Sequence, residues 1–304
     1  MDFWKKRDIL IFEDFMKFGI YYAFWERQWG GDYRKYVKKA ADLGFDILEI
    51  SCASVKNLTA REVKELAWDA KNSGVILTGG YGPKPGENLA SEDPVIVKNG
   101  FEFWKKTFEV LGELNITLVG GGLYSYWPVD FSKQFNKQED LKRSIESMKQ
   151  LAGMALPYGI TLGMEALNRF EGYMINTAKE ALDYVKAVDC DNVKVMLDTF
   201  HMNIEEDSII DAIYKTDSFL GHFHIGEVNR RLPGPGSRMD WEGIGKALTD
   251  SGYSGAVVME PFVLMGGQVG NDIKVWRELM PNANENDLDN AASNSVSYIK
   301  KIFK

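Results

Sequence analysis

Four side chains that could bind a metal ion recur at regular intervals in the second half of the chain. Glu165, Asp198, His224 and Glu260 each lie at or near the end of a short apolar run, in TLGME, VKVMLD, GHFHI and AVVME. Successive members are 33, 26 and 36 residues apart, roughly one strand-plus-helix unit of about 30 residues. Three carboxylates and one imidazole suit a divalent ion of intermediate hardness, such as Mn²⁺, Co²⁺ or Mg²⁺. The spacing therefore predicts a metal site built from four consecutive strand ends.

The elements that must position these residues are eight strand candidates that alternate with amphipathic helical patterns. The candidates span residues 18–22, 47–50, 75–80, 117–121, 161–165, 193–198, 221–225 and 256–260. Capping-box patterns at Thr59–Glu62 and Thr177–Glu180 indicate helix starts. Glu205, Glu206 and Asp207 are interpreted as the acidic first turn of the helix after strand 6, with Ser208 as a possible cap. Glycines just before the next strand indicate helix ends, at Gly44, Gly74, Gly159 and Gly252.

Eight such units with no Pro-rich or Ser-rich linker predict an α/β fold, a single (β/α)8 TIM barrel over residues 1–304. A doubly wound sheet with extra strands is the alternative. Residues 1–15 fit no repeat unit and form an N-terminal extension, either a helix that caps the barrel floor or an exposed tail. A helix around residues 290–303 closes the ring. In such barrels the active site lies at the carboxyl ends of the strands.

Each metal-ligand candidate also has a plain structural interpretation. A lone Asp or Glu at a strand end is typical of a helix N-cap or a solvated loop charge. His222 and His224 occupy one strand, and we expect only His224 to face the barrel interior, with His222 packed outside against a helix. Four candidates at four successive strand ends favour a functional set over separate coincidences.

Further polar and aromatic residues follow the same strand ends. Glu171, His201 and Arg230 lie in the loops after strands 5, 6 and 7, although Glu171 and Arg230 could simply pair at the surface. Aromatic rings that could stack on a sugar follow strands 1 and 4, or else anchor the loops: Tyr21, Trp25, Trp29, Tyr124, Tyr126 and Trp127. The glycine-rich pieces GGYGP (79–83), GGG (120–122) and PGPG (233–236) are interpreted as close turns, since none matches a phosphate-binding loop.

Composition narrows the class of protein. A net charge of −8 without a basic stripe disfavours nucleic acid as a partner. Cys52 and Cys190 are far apart, which argues against a disulfide framework and fits a reducing compartment. The charged N-terminus is not a signal peptide, and no run of apolar residues reaches the length of a membrane span. We therefore expect a soluble, cytoplasmic protein that does not act at a membrane.

The motifs of the chain closely resemble the D-tagatose 3-epimerase / D-psicose (allulose) 3-epimerase family. The resemblance rests on GIYYAFWERQW, GFDILEI, GGGLYSYWPVD, MEALNRFE, NVKVMLDTFHMNIEEDS, GHFHIGEVNRRLPG and VVMEPFV, in this order from about Gly19 onward. It implies a xylose-isomerase-like barrel, one Mn²⁺ or Co²⁺ per subunit, a ketose substrate and a homodimer or homotetramer. It also implies the ligand set Glu165, Asp198, His224 and Glu260.

The resemblance further implies the roles of the remaining candidates. Glu165 and Glu260 are expected to be two acid/base groups that epimerise carbon 3 of D-fructose/D-psicose or D-tagatose/D-sorbose through an enediolate, since inversion needs a group on each face of the carbon. His201 is expected to face a substrate oxygen rather than the metal. The expected substrate contacts are Glu171, His201, Arg230, Tyr21, Trp29, Gly122, Leu123 and Trp127.

Three other functions remain alternatives. An aldose–ketose isomerase would use the same barrel and metal, and the sequence does not decide where the sugar is held. A metal-dependent phosphodiesterase or endonuclease would need more ligands and a basic surface, against three histidines and a charge of −8. A non-catalytic sugar-binding module would have no need of two carboxylates on the metal.

Overall fold

Eight parallel strands form a closed barrel in chain order in the computed structural model, which describes residues 15–303. The last strand pairs with the first, with Gly19 beside Val258. The strands are β1 Lys17–Tyr21, β2 Ile47–Ser51, β3 Ile76–Gly80, β4 Leu118–Gly121, β5 Thr161–Glu165, β6 Val193–Asp198, β7 Leu220–Ile225 and β8 Ala256–Met259. Their closure confirms the predicted TIM barrel and rules out the doubly wound sheet.

Helices fill the connections between the strands. They are α1 Tyr33–Leu43, α2 Cys52–Val55, α3 Ala60–Ser73, α4 Pro94–Glu113, α5 Lys137–Ala155, α6 Ala178–Val188, α7 Thr199–Glu205, α8 Ile209–Thr216, α9 Trp241–Asp250, α10 Gly267–Asp272 and α11 Glu285–Ile302. The predicted last helix is thus present and begins five residues earlier than expected. Within residues 15–303, none of these helices has both the length and the apolar character needed to cross a bilayer. The expectation for residues 1–15 falls almost entirely outside the described residues.

Local capping signals position the helices much as predicted. The Thr59 hydroxyl accepts from the Glu62 backbone N–H, and the Glu62 carboxylate accepts from the Thr59 backbone N–H, so this capping box is complete. At Thr177 only half of the box forms, because the Glu180 carboxylate accepts instead from the Asn176 N–H. All four glycines predicted to end helices have left-handed backbones, with φ between 68° and 91°.

The barrel interior has two layers of different chemistry. The lower layer, near the strand starts, is apolar and consists of Ile47, Leu118, Ala256 and Val258. Side chains two residues apart on a strand point to the same side. Consequently Glu49 follows Ile47 on the same inward row, and Glu260 follows Val258. The upper layer, towards the carboxyl ends, therefore carries the charged residues.

Candidate active site

A cavity of about 560 Å³ opens at the carboxyl ends of the strands. This volume is within the range of small-molecule sites, roughly 300–1,000 Å³. Of the residues predicted from the sequence, those lining it are Tyr21, Trp29, Gly122, Trp127, Glu165, Glu171, His201, His224, Arg230 and Glu260. Asp198 lies fully buried beside them at the end of β6.

The structure brings the four candidate metal ligands to one rim of the barrel. Asp198, His224 and Glu260 each offer one atom, and these atoms lie within 4.8 Å of one another. Glu165 meets Asp198 and His201 within the same distance. The strand register explains the closeness, since Asp198 on β6 pairs directly with His224 on β7. The donors are thus gathered as the spacing suggests, while their role as ligands stays a prediction.

Asp198 has two functions in the fold at once. Its Oδ1 accepts from the Phe200 backbone N–H and caps α7, whereas its Oδ2 accepts from Arg230 at 2.8 Å. The plain N-cap interpretation is therefore confirmed, and the role of Asp198 as a metal ligand stays a prediction. Helix dipole and guanidinium together stabilise the negative charge of this carboxylate in a buried position.

The acidic segment after α7 differs from its prediction. Glu205, Glu206 and Asp207 were expected to form the first turn of the next helix, but Glu205 ends α7 and the other two residues precede α8. Glu205 accepts hydrogen bonds from the Arg169 backbone and side chain, which holds the loop after β5 against α7. Ser208 caps α8 as predicted, through the Asp211 N–H.

The placement of His222 outside the barrel was wrong. Residues two apart on a strand face the same side, so His222 and His224 both point into the interior. Each donates from Nε2 to the carboxylate of Glu49 at 2.8 Å, His222 to Oε2 and His224 to Oε1. The two-residue spacing already indicated this, because a residue that faces outward must lie an odd number of positions from the inward-facing His224.

Glu49 is a buried charged residue that the sequence reasoning missed. It lies in the middle of β2, beside Thr78 of β3, whose hydroxyl donates to Oε2 at 2.8 Å. Burial raises the pKa of Glu49, but the imidazoles of His224 and His222 outweigh burial and hold the pKa below its usual value. One signal was available: a lone glutamate inside the apolar strand ILEI is unusual unless it has buried partners.

Arg230 is a buried cation at the centre of the carboxylates and not half of a surface pair. It is 5% exposed, and its Nη1 donates to Asp198 Oδ2 at 2.8 Å and to Glu260 Oε2 at 2.6 Å. Its Nη2 lies 3.9 Å from Glu171 Oε1. The guanidinium stacks 3.9 Å from the centre of the Phe200 ring. Its backbone is left-handed, with φ of 64°, a strained conformation often found at functional sites.

His201 presents a hydrogen-bond donor to the same site. Its Nδ1 accepts from the backbone N–H of Asn168 at 3.2 Å, so the ring proton lies on Nε2. That Nε2 is 3.6 Å from Glu165 Oε1 and 3.8 Å from Asp198 Oδ2. Burial lowers the pKa of His201 to about 3, so the ring is neutral at ordinary pH.

Electrostatic repulsion among the carboxylates is strong in this setting. Burial raises the pKa of Glu165 well above its usual range, and the neighbouring Glu260 and Asp198 raise it further. Carboxylates gathered away from water are costly unless a cation compensates them. Arg230 supplies one positive charge. Oxygen and nitrogen donors arranged in this way can also compensate their charge by holding a divalent ion.

Only some of the predicted aromatic residues reach the cavity. Tyr21, Trp29 and Trp127 line it. Trp25 instead stacks on Tyr36 and donates to Asp289, which anchors the loop after β1. The other predicted residues of the loop after β4 are buried and do not line the cavity: Leu123, Tyr124 and Tyr126. Proximity in sequence to a strand end did not distinguish rings that face the cavity from rings that hold the loop.

Bare backbone forms the cavity wall on β3 and β4. Gly79 and Gly80 belong to β3, and Gly120 and Gly121 belong to β4, so their interpretation as close turns was wrong. A Cβ atom on Gly120 would lie 2.4 Å from Met196 Sδ, and one on Gly121 would lie 2.2 Å from the Tyr81 carbonyl oxygen. The charges of the cavity therefore come mainly from the opposite wall, β5 to β8.

Known proteins resemble this chain in both sequence and fold. The family model for the xylose isomerase-like TIM barrel matches residues 37–280. The D-psicose 3-epimerase of Ruminiclostridium cellulolyticum is 50% identical over 289 residues, covering 95% of this chain and 98% of the relative. That of Enterocloster bolteae is 48% identical, covering 95% and 96%. A crystal structure of D-psicose 3-epimerase with D-tagatose, from Clostridium cellulolyticum H10, is 49% identical with a TM-score of 0.94, covering 95% of this chain and all of that one.

Proposed function

The chain belongs to the ketose 3-epimerases of the xylose isomerase-like TIM barrel family, and from this premise we propose that it inverts carbon 3 of free ketohexoses. The proposed substrate pairs are D-fructose with D-psicose and D-tagatose with D-sorbose, of which the names of its relatives and of their structures mention D-psicose, D-tagatose and D-fructose. The observation that carries the proposal is a pair of glutamates, Glu165 and Glu260, at the ends of two non-adjacent strands around Asp198.

Glu165, Asp198, His224 and Glu260 would hold one divalent ion, Mn²⁺ or Co²⁺, with Mg²⁺ as a further candidate. The donor chemistry supports this choice. In addition, His224 Nδ1 is buried, lies 3.8 Å from Glu260 Oε2 and has no hydrogen-bond partner within residues 15–303. A bound ion of this kind polarises a ketone and stabilises the negative charge that develops when the adjacent C–H loses its proton.

Glu165 and Glu260 would act as acid and base on the two faces of carbon 3. A single base would return the proton to the face it came from, so inversion requires one group on each side. One glutamate removes the proton and the other delivers a proton to the opposite face, and the reverse reaction exchanges their roles. Each is held by a different neighbour, since Arg230 donates to Glu260 and His201 Nε2 approaches Glu165. Such groups contribute about 10²–10⁴-fold each.

The remaining residues would bind the sugar. The neutral His201 and the guanidinium of Arg230 can both donate to the oxygen on carbon 2 as it becomes negative. Glu171, beside Arg230, would accept from a neighbouring hydroxyl. The far end of the sugar would lie against Tyr21, Trp29, Trp127 and Gly122, whereas Leu123 is fully buried and does not line the cavity.

The test incubates Mn²⁺-loaded protein with D-psicose, D-fructose, D-tagatose, D-sorbose and ketopentoses in D₂O. Chromatography identifies the product and NMR locates the deuterium. Formation of the carbon-3 epimer with deuterium at carbon 3 supports the proposal. An aldose product would overturn it in favour of an aldose–ketose isomerase. A bound sugar with no exchange at carbon 3 would overturn it in favour of a non-catalytic sugar-binding module.

A further inference from the structure

Glu49 is a charged residue of the barrel interior to which the proposed chemistry gives no role. It is fully buried, and three donors surround its carboxylate. Thr78 and His222 donate to Oε2, and His224 donates to Oε1, all at 2.8 Å. An ionised carboxylate only accepts hydrogen bonds, so each imidazole must carry a proton on Nε2.

The proton on Nε2 decides which atom of His224 is free to bind a ligand. A neutral imidazole with its proton on Nε2 has a lone pair on Nδ1. That Nδ1 lies on the side of Glu260, at 3.8 Å from Oε2, and makes no hydrogen bond to any residue between 15 and 303. Histidines that bind metals commonly donate their other ring N–H to a carboxylate, which fixes the tautomer and the ring orientation.

We propose that Glu49 is a positioning residue that holds His224 with Nδ1 towards the divalent ion, and that His222 braces Glu49 from its other oxygen. The inference rests on the proposed metal site. It adds to that site a carboxylate and a histidine that would act on the ion only through His224.

The neighbouring strands leave the space that this arrangement needs. A Cβ on Gly120 of β4 would lie 2.7 Å from His222 Cδ2, and a Cβ on Gly80 of β3 would lie 3.2 Å from Glu49 Oε1. The two imidazole rings meet edge to face with centroids 4.8 Å apart. Steric fit and hydrogen bonds thus restrict both rings to one orientation. If Glu49 served only to stabilise the fold, Nδ1 of His224 would not need to face Glu260, another candidate metal ligand.

The decisive measurement is Mn²⁺ affinity of the metal-stripped full chain, by calorimetry and by the paramagnetic resonance of free Mn²⁺. Glu49→Gln should weaken binding about 10–100-fold, the usual effect of losing such a partner. The matched control is Glu206→Gln, a half-buried glutamate that accepts from the Ala178 N–H away from the ion. It should bind Mn²⁺ as the unaltered protein does. A folded Glu49→Gln variant with unchanged affinity would overturn the inference.

A second measurement does not depend on the folding of any variant. The chain has three histidines, so the ring-nitrogen NMR spectrum of the Mg²⁺-loaded protein is simple. His222 and His224 should both carry their proton on Nε2. A proton on Nδ1 of His224 would overturn the inference. Unaltered protein that epimerises without binding any divalent ion would overturn the metal site instead, and with it this inference.

Discussion

The two layers of the barrel interior differ in what they contribute to the protein. The lower layer contains only apolar side chains, Ile47, Leu118, Ala256 and Val258, whose burial stabilises the fold. The upper layer, towards the carboxyl ends, contains Glu49, Glu165, Asp198, His222 and His224, all buried, and on β2 Glu49 lies one pleat repeat beyond Ile47. Buried charges are costly unless they are paired. Stability and chemistry are therefore separated by only two residues along a strand.

The largest expected effect comes from the two glutamates of the charged upper layer that end β5 and follow β8. Glu165→Gln and Glu260→Gln should each lower kcat by about 10²–10⁴-fold or more, because each removes a proposed proton-transfer group. Bound metal should remain detectable by elemental analysis, and the free energy of unfolding should change little. Glu113→Gln, at an exposed position of α4, is the matched control and should keep full activity. Near-normal epimerisation by either site variant would contradict the two-glutamate scheme.

A substitution in the lower layer should instead lower stability and leave kcat nearly unchanged. Leu118→Ala should reduce the free energy of unfolding by about 2–5 kcal/mol, since it leaves a cavity in a packed interior. The kcat of the folded protein at low temperature should stay near that of the unaltered enzyme. Denaturant titration and steady-state kinetics measure the two quantities. Leu156→Ala, at an exposed leucine, should change stability by no more than about 0.5 kcal/mol. Loss of activity without loss of stability in Leu118→Ala would break the distinction between the layers.

A smaller loss of activity is expected at Phe200, which packs beside the upper layer against Arg230. Phe200→Leu removes the ring on which Arg230 stacks, an interaction of about 0.5–2 kcal/mol. The value of kcat/KM should therefore fall roughly 2- to 30-fold, mainly through a higher KM, because Arg230 is proposed to bind the substrate. Phe170→Leu, in a side chain that is 68% exposed, should leave both constants unchanged. An unchanged KM in Phe200→Leu would show that the stacking does not position the guanidinium.

Much of this architecture could be predicted from the sequence, because its signals are local. Each strand was located to within about one residue, since apolar runs, caps and glycine stops all act over a few positions. The four candidate ligands were found because the carboxyl ends of parallel strands must meet at one rim. The barrel repeats a strand-plus-helix unit eight times. An error of one residue in the bounds of one strand therefore does not change the predicted fold.

The missed features depend on contacts between distant parts of the chain. Glu49 lies 173 residues from His222 along the sequence, and only closure of the barrel places the two together. The orientation of Trp25 likewise depends on Asp289, which lies 264 residues away. The error at His222 was different in kind, because the two-residue period of a strand would have corrected it.

The bare backbone of β3 and β4 also determines where the cavity can be reshaped. Gly120 and Gly121 cannot gain a side chain without collision with Met196 and Tyr81. At Gly122 the nearest obstacle to a Cβ is Leu167 Cδ1 at 3.3 Å, the end of a flexible side chain. Of these three adjacent glycines, one can therefore be enlarged to narrow the cavity from the uncharged side. A substitution at Gly122 can therefore change the space left for the sugar without altering the proposed acid/base groups.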